Sequence, residues 1–314
     1  MSIPVLVRKN VPLMDVKTGK PLLDPHSKKP VIQQVIYVNP AKRYVKPFWQ
    51  TTDPDVVTVP ANGNSGIVPM SIDQSTGHFE VFYFEYEADG PFSIQIFDEG
   101  NRNFLMNRPV HINTIAGNAR RPFILPETIF INVARGTRQL SLVFYDLSGA
   151  ENDIQFTMVG RRFTYKEAPI ETFQQFDAYY GDKERTNLFF MTTSKAILAL
   201  APGAAGRQDF EFRVTSDSFF EVIKQMAETS PEGANFKVTM KEYGSGRTFS
   251  PAGSDIRRDL IFGNAQFPHI MPESYLFERD YRILVSIENL EAFNIDVYLT
   301  MCGRRIKYPE EVVR

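Results

Sequence analysis

Two carboxylates in one strand-like segment come nearest to a catalytic arrangement in this sequence. Glu85 and Glu87 are two positions apart, and alternate residues of a strand point to the same face, about 6 to 7 Å from each other. That separation is compatible with the paired acid and base of a glycosidase. A solvated strand face, or a surface that binds a basic partner, also explains the pair. We therefore assign Glu85 and Glu87 to an interaction surface and predict no catalytic role for them.

The other residues that could do chemistry are isolated from one another. Cys302 is the single cysteine, so neither an intrachain disulfide nor a cysteine-based zinc site can form. No P-loop, dinucleotide glycine fingerprint, nucleophile elbow or His-Glu-x-x-His motif is present. Four histidines are scattered along the chain without metal-ligand spacing, namely His26, His78, His111 and His269. We therefore predict a protein without catalytic residues, metal or cofactor, which is not an enzyme.

Two Gly-Arg-Arg triplets could bind an anion. They are Gly160, Arg161 and Arg162 in the first instance and Gly303, Arg304 and Arg305 in the second. Strand alternation would send one arginine of each pair to either face, and a phosphate or carboxylate clamp is one reading. The other reading is structural ion pairs with Glu127 and Glu273, which also recur. We favour the structural ion pairs.

The triplets belong to a longer internal repeat. The block Gly-Asn-Ala…Pro-x-Ile-x-Pro-Glu occurs with Gly117, Asn118, Pro126 and Glu127, and again with Gly263, Asn264, Pro272 and Glu273. Each block is followed by Thr-Met-x-Gly-Arg-Arg, at 157–162 and at 300–305, and the second copy is three residues shorter between the blocks. Two blocks in the same order at nearly the same spacing predict a duplicated domain.

Strand-like alternation between these blocks predicts the fold class. The 26 Phe and 13 Tyr against one Trp also favour strands, because flat and β-branched side chains fit a pleated surface. We predict an all-β protein of two tandem homologous antiparallel domains, sandwich-like or jelly-roll-like, preceded by an extended arm. The predicted core residues are Leu142, Phe144, Phe156, Met158, Val285, Ile287, Leu299 and Met301.

The predicted organisation has four parts: an arm at 1–60, a first domain at 61–168, a linker at 169–208 and a second domain at 209–314. Upstream strands are expected at 79–86 and 92–97, with counterparts at 210–214 and 236–240. Ser218 and Glu221 have the spacing of a helix capping box before apolar residues. We therefore expect a short helical insertion near 218–230.

The first 60 residues are rich in proline and basic residues. Residues 1–50 contain nine Lys or Arg, including Lys42 and Arg43, against two Asp, whereas 51–100 contain nine carboxylates and no Lys or Arg. Evenly spread prolines exclude a long helix. We expect this arm to dock on an adjacent subunit or a neighbouring virion protein, with apolar contacts from Val35, Ile36, Phe48 and Trp49, because a chain with little to bury internally becomes ordered on binding. Pairing of the basic arm with the acidic stretch of its own chain is the alternative.

The tandem β-domains with these two motifs, following a proline-rich arm, resemble virion structural proteins of tailed bacteriophages over about residues 78–308. The resemblance implies a non-enzymatic collar or neck, head–tail connector, capsid or tail auxiliary protein. Its expected partners are other copies of itself, with a ring as one arrangement, and other virion proteins. Specific nucleic acid and membrane are not expected as partners. The expected location is the virion, after synthesis in the host cytoplasm. The alternative is a carbohydrate- or receptor-binding sandwich of a host-recognition apparatus.

Overall fold

The computed structural model describes residues 5–12, 32–39, 45–72, 78–100, 102–117, 120–131, 138–163, 186–249 and 255–307. Apart from two short helical turns, the regular structure of this part of the chain is antiparallel β-sheet. The predicted all-β class with sandwich architecture is thereby confirmed.

The first sandwich is built from residues 45–163. Its strands are β3 (Val45–Thr51), β4 (Val57–Val59), β5 (Val68–Ile72), β6 (His78–Ala88), β7 (Phe92–Asp98), β8 (Asn103–Phe104), β9 (Val110–His111), β10 (Ile129–Ile131), β11 (Arg138–Asp146) and β12 (Asn152–Phe163), with a 3-10 turn at Ile112–Thr114. Sheet I has the order β10-β6-β12-β3, with β4 also on β12. Sheet II has the order β5-β11-β7-β8, with β9 also on β7.

The second sandwich is built from residues 186–307. Its elements are β13 (Thr186–Thr192), β14 (Leu198–Leu200), β15 (Gly203–Arg213), β16 (Ser218–Ser230), β17 (Phe236–Glu242), β18 (Ile256–Arg257), α1 (Arg258–Ile261), β19 (His269–Phe277), β20 (Arg282–Asn289) and β21 (Ile295–Lys307). Sheet III has the order β13-β21-β16-β19, with β14 also on β21. Sheet IV has the order β15-β20-β17-β18.

Alternating apolar residues of the facing sheets form the cores. Phe84 and Phe156 of sheet I lie against each other with ring centroids 5.4 Å apart, and Phe156 lies 6.0 Å from Phe144 of sheet II. Burying such a side chain contributes roughly 1.5 to 3 kcal/mol. All eight predicted core residues are buried, which confirms the strand register: Leu142, Phe144, Phe156, Met158, Val285, Ile287, Leu299 and Met301.

Sheets I and III have equivalent pairing registers. Gly160 lies opposite Val81 and Phe48, and Gly303 lies opposite Val222 and Phe189. The counterpart of β6 is therefore β16, and that of β3 is β13. This corrects one expectation: residues 210–213 lie in β15, which corresponds to β5 and not to β6. The expected correspondence of 92–97 with 236–240 agrees with the observed registers.

Residues 218–230 form a strand, so the predicted helical insertion is wrong. β16 pairs with β21 along its length and with β19 on its other side. A bulge between Val222 and Lys224 shifts the alternation by one residue, which gives the apolar residues of this segment a helix-like spacing. Long-range pairing outweighs the local capping signal.

The same bulge in both sandwiches explains the glycine of each Gly-Arg-Arg triplet. A Cβ atom on Gly160 would lie 1.9 Å from the carbonyl oxygen of Glu80, and one on Gly303 would lie 1.8 Å from that of Glu221. Only glycine permits this backbone approach. The recurrence of this residue is a requirement of the fold.

Two predicted boundaries also need correction. β3 and β4, which fall within the predicted arm at 1–60, pair with β12. β13 and β14, which fall within the predicted linker at 169–208, pair with β21. These four strands are distant in sequence from the strands with which they pair, so sequence composition did not reveal them. The independence of the two sandwiches as domains stays a prediction.

The N-terminal part of the chain contains a separate hairpin. β1 (Val5–Pro12) pairs antiparallel with β2 (Ile32–Asn39), and in the described part of the chain the two strands form a two-stranded sheet of their own.

Candidate interaction surfaces

One face of sheet III is covered by the first sandwich. The covering segment consists of residues 104–117 and 120–127, which follow β7. At the edge strand β13, the backbone N–H of Phe190 donates to the carbonyl oxygen of Leu105 at 2.9 Å. Asn107 donates from Nδ2 to the carbonyl oxygen of Thr192 and accepts from its N–H on Oδ1, at 2.9 and 2.8 Å. These contacts extend sheet III by a short piece of the first sandwich.

The middle of this contact combines a ring contact with hydrogen bonds. Thr114 and Thr300 share a buried hydrogen bond between their hydroxyls at 3.0 Å. The rings of His111 and Tyr298 lie 4.5 Å apart. His111 also accepts the Asn113 N–H on Nδ1 at 3.2 Å, and burial lowers its pKa to about 4. His111 is therefore a neutral contact residue.

Lys224 and Cys302 lie side by side in the same contact. Lys224 donates from Nζ to the carbonyl oxygen of Ile124 at 2.5 Å and lies 4.5 Å from the centre of the Phe123 ring. Burial lowers the pKa of Lys224. Burial raises the pKa of the Cys302 thiol, and the nearby Lys224 opposes this only in part. The prediction that Cys302 occupies a packing site agrees with its complete burial.

The first arginine of each doublet forms ion pairs, as predicted, and Glu127 is one of the partners. Arg161 binds Glu80, its cross-strand neighbour, at 2.7 Å. Arg304 approaches its own cross-strand neighbour, Glu221, at 3.6 Å, and also binds Glu127 of the first sandwich at 2.9 Å. Glu127 thus pairs with the arginine of the other copy, and Glu273 is exposed.

The second arginine of each doublet packs on an aromatic ring of an edge strand. The guanidinium of Arg162 lies 5.2 Å from the centre of the Phe48 ring, and that of Arg305 lies 4.6 Å from the Phe189 ring. Phe48 and Phe189 occupy equivalent positions opposite the signature glycines. Cation–π packing of this kind is a second structural role for the doublets.

The equivalent face of sheet I is exposed at Trp49 and Glu87. Trp49 takes the place of Phe190 in the register; it is 58 % exposed, whereas Phe190 is fully buried. Glu85 and Glu87 stand where Met226 and Glu228 stand in sheet III. Glu85 is half-buried and Glu87 is exposed. Burial, and then the charge of Glu85, raise the pKa of the neighbouring Tyr83. We call this surface the acceptor face; its described side chains are Trp49, Tyr83, Glu85, Glu87, Gln155, Thr157 and Arg161.

The second sandwich has a counterpart of the covering segment that carries three exposed apolar side chains. Its inner part contacts the first sandwich, because the Ala265 N–H donates to the carbonyl oxygen of Asn113 at 2.8 Å and the guanidinium of Arg121 lies 4.5 Å from the centre of the Phe267 ring. Its residues 256–273 correspond to 110–127, since β18 pairs with β17 as β9 pairs with β7 and the glycine signatures align. Leu260 is 72 % exposed, Ile270 62 % and Phe267 59 %. We call this surface the donor segment. Sequence reasoning missed these three residues, although each is an apolar residue flanking or within the second Gly-Asn-Ala block.

A cavity of about 190 Å³, open to solvent on one side, lies in the second sandwich beside β19. Gln225 borders the cavity, is 3 % exposed, and its Oε1 has no hydrogen-bond partner. The equivalent residue of β6 is Phe84, which fills the first core. The smaller polar side chain accounts for the space.

The remaining predicted site residues fall into four groups. Phe48 packs on the first core, where its ring lies 5.3 Å from that of Phe79, so its expected role in docking the arm is wrong. Val35 and Ile36 lie in β2, and their contacts stay a prediction. Lys42, Arg43 and Asn118 lie outside the described residues. Asn264 receives the Phe267 N–H on Oδ1 at 2.8 Å, and Pro126 precedes β10, whereas Pro272 lies within β19.

The described residues contain neither a candidate metal site nor a helix that could span a membrane. No group of three or more His, Cys, Asp or Glu in them could hold a metal ion. Within the same residues, no helix has the length and apolar character needed to cross a membrane.

Comparison with known proteins gives little guidance. No family model and no curated protein matches the chain. Among solved structures, a plant receptor-like kinase, ANX2, is similar at 9 % identity and a TM-score of 0.22, covering 81 % of this chain and 89 % of the other. The N-terminal tandem CBM22 domain of Xyn10C from Paenibacillus barcinonensis is similar at 8 % identity and a TM-score of 0.16, covering 81 % and 92 %.

Proposed function

We propose that this protein is a non-enzymatic structural component of a bacteriophage virion that assembles in many copies. One observation carries the proposal: the two sandwiches join through unlike surfaces. The covering segment of the first sandwich lies on sheet III of the second, while the counterparts of both surfaces keep large exposed side chains, Trp49 on one and Leu260, Phe267 and Ile270 on the other. A contact between unlike surfaces can be continued by further copies, and it closes into a ring or extends into a filament.

The hairpin of β1 and β2 gives the protein a second means of attachment. The strands pair with each other, and the basic residues of the first 50 positions precede the carboxylate-rich stretch from Asp53 to Glu99. Such charges set the orientation of docking more than its strength. The hairpin binds an adjacent subunit or another virion protein.

The function is tested with the intact chain and with particles. Light scattering and negative-stain electron microscopy of the purified protein should show assemblies of defined size. Purified phage particles should contain the chain in many copies that resist washing with high salt. A protein that stays monomeric at all accessible concentrations and is missing from particles contradicts the proposal.

The role of the arm requires a shorter deletion than the sequence indicated. Removing 1–50 would take away β3 and damage sheet I, so the deletion should end at residue 44. The truncated protein should remain folded and lose part or all of its assembly. Unchanged assembly of the truncated protein would show that the arm is not needed and that the sandwiches alone form the contacts between copies.

A carbohydrate- or receptor-binding function is the second candidate, favoured by one group of aromatic residues. Phe249 and Tyr275 are exposed and in edge-to-face contact at 5.9 Å, and exposed Tyr243 follows β17. Exposed aromatic rings are suited to stacking on sugar rings. A glycan array decides this: specific binding that is lost in Tyr275→Ala supports the alternative, and an array without binding removes it.

A further inference from the structure

We propose that the donor segment of one copy docks on the acceptor face of a second copy, and so repeats between chains the contact that joins the two sandwiches within a chain. This inference rests on the proposed assembly function and names the surfaces that carry it. The partner is a second copy because both halves of the contact already exist in the chain, in equivalent registers.

The apolar part of the contact is present on both surfaces. Within the chain, Phe190 is buried under the first sandwich; between chains, the equivalent Trp49 would be covered by the partner. On the other side, Leu260 stands in the place of buried Thr114, and Ile270 stands in the place of Ile124. Leu260, Phe267 and Ile270 are each more than half exposed, and large exposed apolar side chains in one segment are typical of interaction sites.

The ion pair between Arg304 and Glu127 has equivalent residues on the two surfaces, namely Arg161 on the acceptor face and Glu273 on the donor segment. Arg304 contacts both Glu221 and Glu127, so one arginine at this position accommodates two carboxylates. Arg161 binds Glu80, the counterpart of Glu221. Exposed Glu273, the counterpart of Glu127, would approach Arg161 of the second copy as the second carboxylate.

The charges next to this pair are also complementary. His111 lies on Tyr298, whose cross-strand neighbour is Glu228. The counterpart of His111 is Arg257, which is exposed on the donor segment. The counterparts of Tyr298 and Glu228 are Gln155 and its cross-strand neighbour Glu87, on the acceptor face. Arg257 would therefore lie on neutral Gln155 next to Glu87, as His111 lies on Tyr298 next to Glu228, and its charge is opposite to that of Glu87. Asp259 brings a further carboxylate to this area, so the charges orient the contact more than they strengthen it.

The test uses two variants that each damage one surface. Leu260→Asp places a charge in the donor segment, and Trp49→Asp places one in the acceptor face; both residues are more than half exposed, so the folds should survive. Each variant alone should lose assembly. Ile67→Asp is the matched control, because Ile67 is also 72 % exposed but lies outside both surfaces, and it should assemble like the unmodified protein.

Mixing the two variants gives the decisive measurement. Each retains one intact surface, so an equimolar mixture should form a capped dimer of twice the 35.9 kDa chain mass and nothing larger. If the unmodified protein assembles but both variants still assemble, or their mixture stays monomeric, the inference is overturned and the assembly function stands. A monomeric unmodified protein overturns the assembly function itself.

Discussion

Val159 of sheet I and Cys302 of sheet III occupy equivalent positions, but their neighbours on the edge strands differ in exposure. The edge-strand neighbour of Val159 is Trp49, which is exposed. The edge-strand neighbour of Cys302 is Phe190, which is buried. The features common to both sandwiches lie in the backbone and between neighbouring strands: the bulge with its glycine, and the Arg–Glu cross-strand pair. The features that differ lie on the outer faces and, at Gln225, in the core. The comparison teaches that recurrence marks what the fold requires and divergence marks what each surface contacts.

The largest expected effect tests the shared bulge. Gly160→Ala and Gly303→Ala should each destabilise the protein by about 4 kcal/mol or more, because the new Cβ would lie within 2 Å of a backbone oxygen. Urea unfolding measures the loss. Gly66→Ala is the control: its φ is +69° but no atom lies within 4 Å, so a loss of only about 1 kcal/mol is expected. Similar losses at all three positions would refute the close-approach explanation.

The next effect compares equivalent core residues. Phe156→Ala and Leu299→Ala remove fully or almost fully buried side chains at the same register position. Each should cost about 2 to 5 kcal/mol in free energy of unfolding. Exposed Ile197→Ala in the loop before β14 serves as control. Losses below about 0.5 kcal/mol at both core positions would show that the strand register is wrong.

A pH dependence should distinguish His111 from its counterpart Arg257, which stays charged. An unfolded histidine has a pKa near 6.5, and burial lowers the pKa of His111 to about 4. The unfolded chain therefore binds more protons between these values, so the stabilisation is complete above about pH 6.5 and is lost as the pH falls towards 4.

The loss attributable to His111 should reach roughly 3 kcal/mol at pH 4. His111→Asn keeps a side-chain acceptor for the Asn113 N–H and removes the titrating group. Unfolding measured at pH 7 and pH 4 should show a smaller loss in the variant. His78, whose pKa burial lowers to about 3, contributes equally to both proteins. Equal losses in the two proteins would exclude the role of His111.

The smallest expected effect concerns the two cores. Gln225→Phe places in the second core the residue that fills the first, and it removes a buried amide oxygen without a partner. Filling the cavity of about 190 Å³ should raise stability by about 1 kcal/mol, measurable as a higher melting temperature. A decrease would mean that the space is too narrow for a ring and that the core becomes overpacked.

The sequence predicted what depends on periodicity and recurrence. Leu142, Phe156, Val285 and Leu299 were assigned to the core because alternate residues of a strand share a face. Recurrence of the glycines and arginines indicated a fold requirement before any contact was known. The helix expected at 218–230 failed because a bulge at Ile223 imitates helical spacing locally.

What the sequence determined by itself was the β class, the repeated signatures and the buried positions, since each follows from residue type and short-range spacing. Only the tertiary structure decided that Glu127 pairs with Arg304 of the other copy. It also decided that Trp49 is exposed where Phe190 is buried, and that the Leu260 side chain is exposed. These facts depend on which surfaces meet across more than 100 residues of chain. Local pattern holds no information on that distance, because periodicity and motif spacing report only on residues that are close together in sequence.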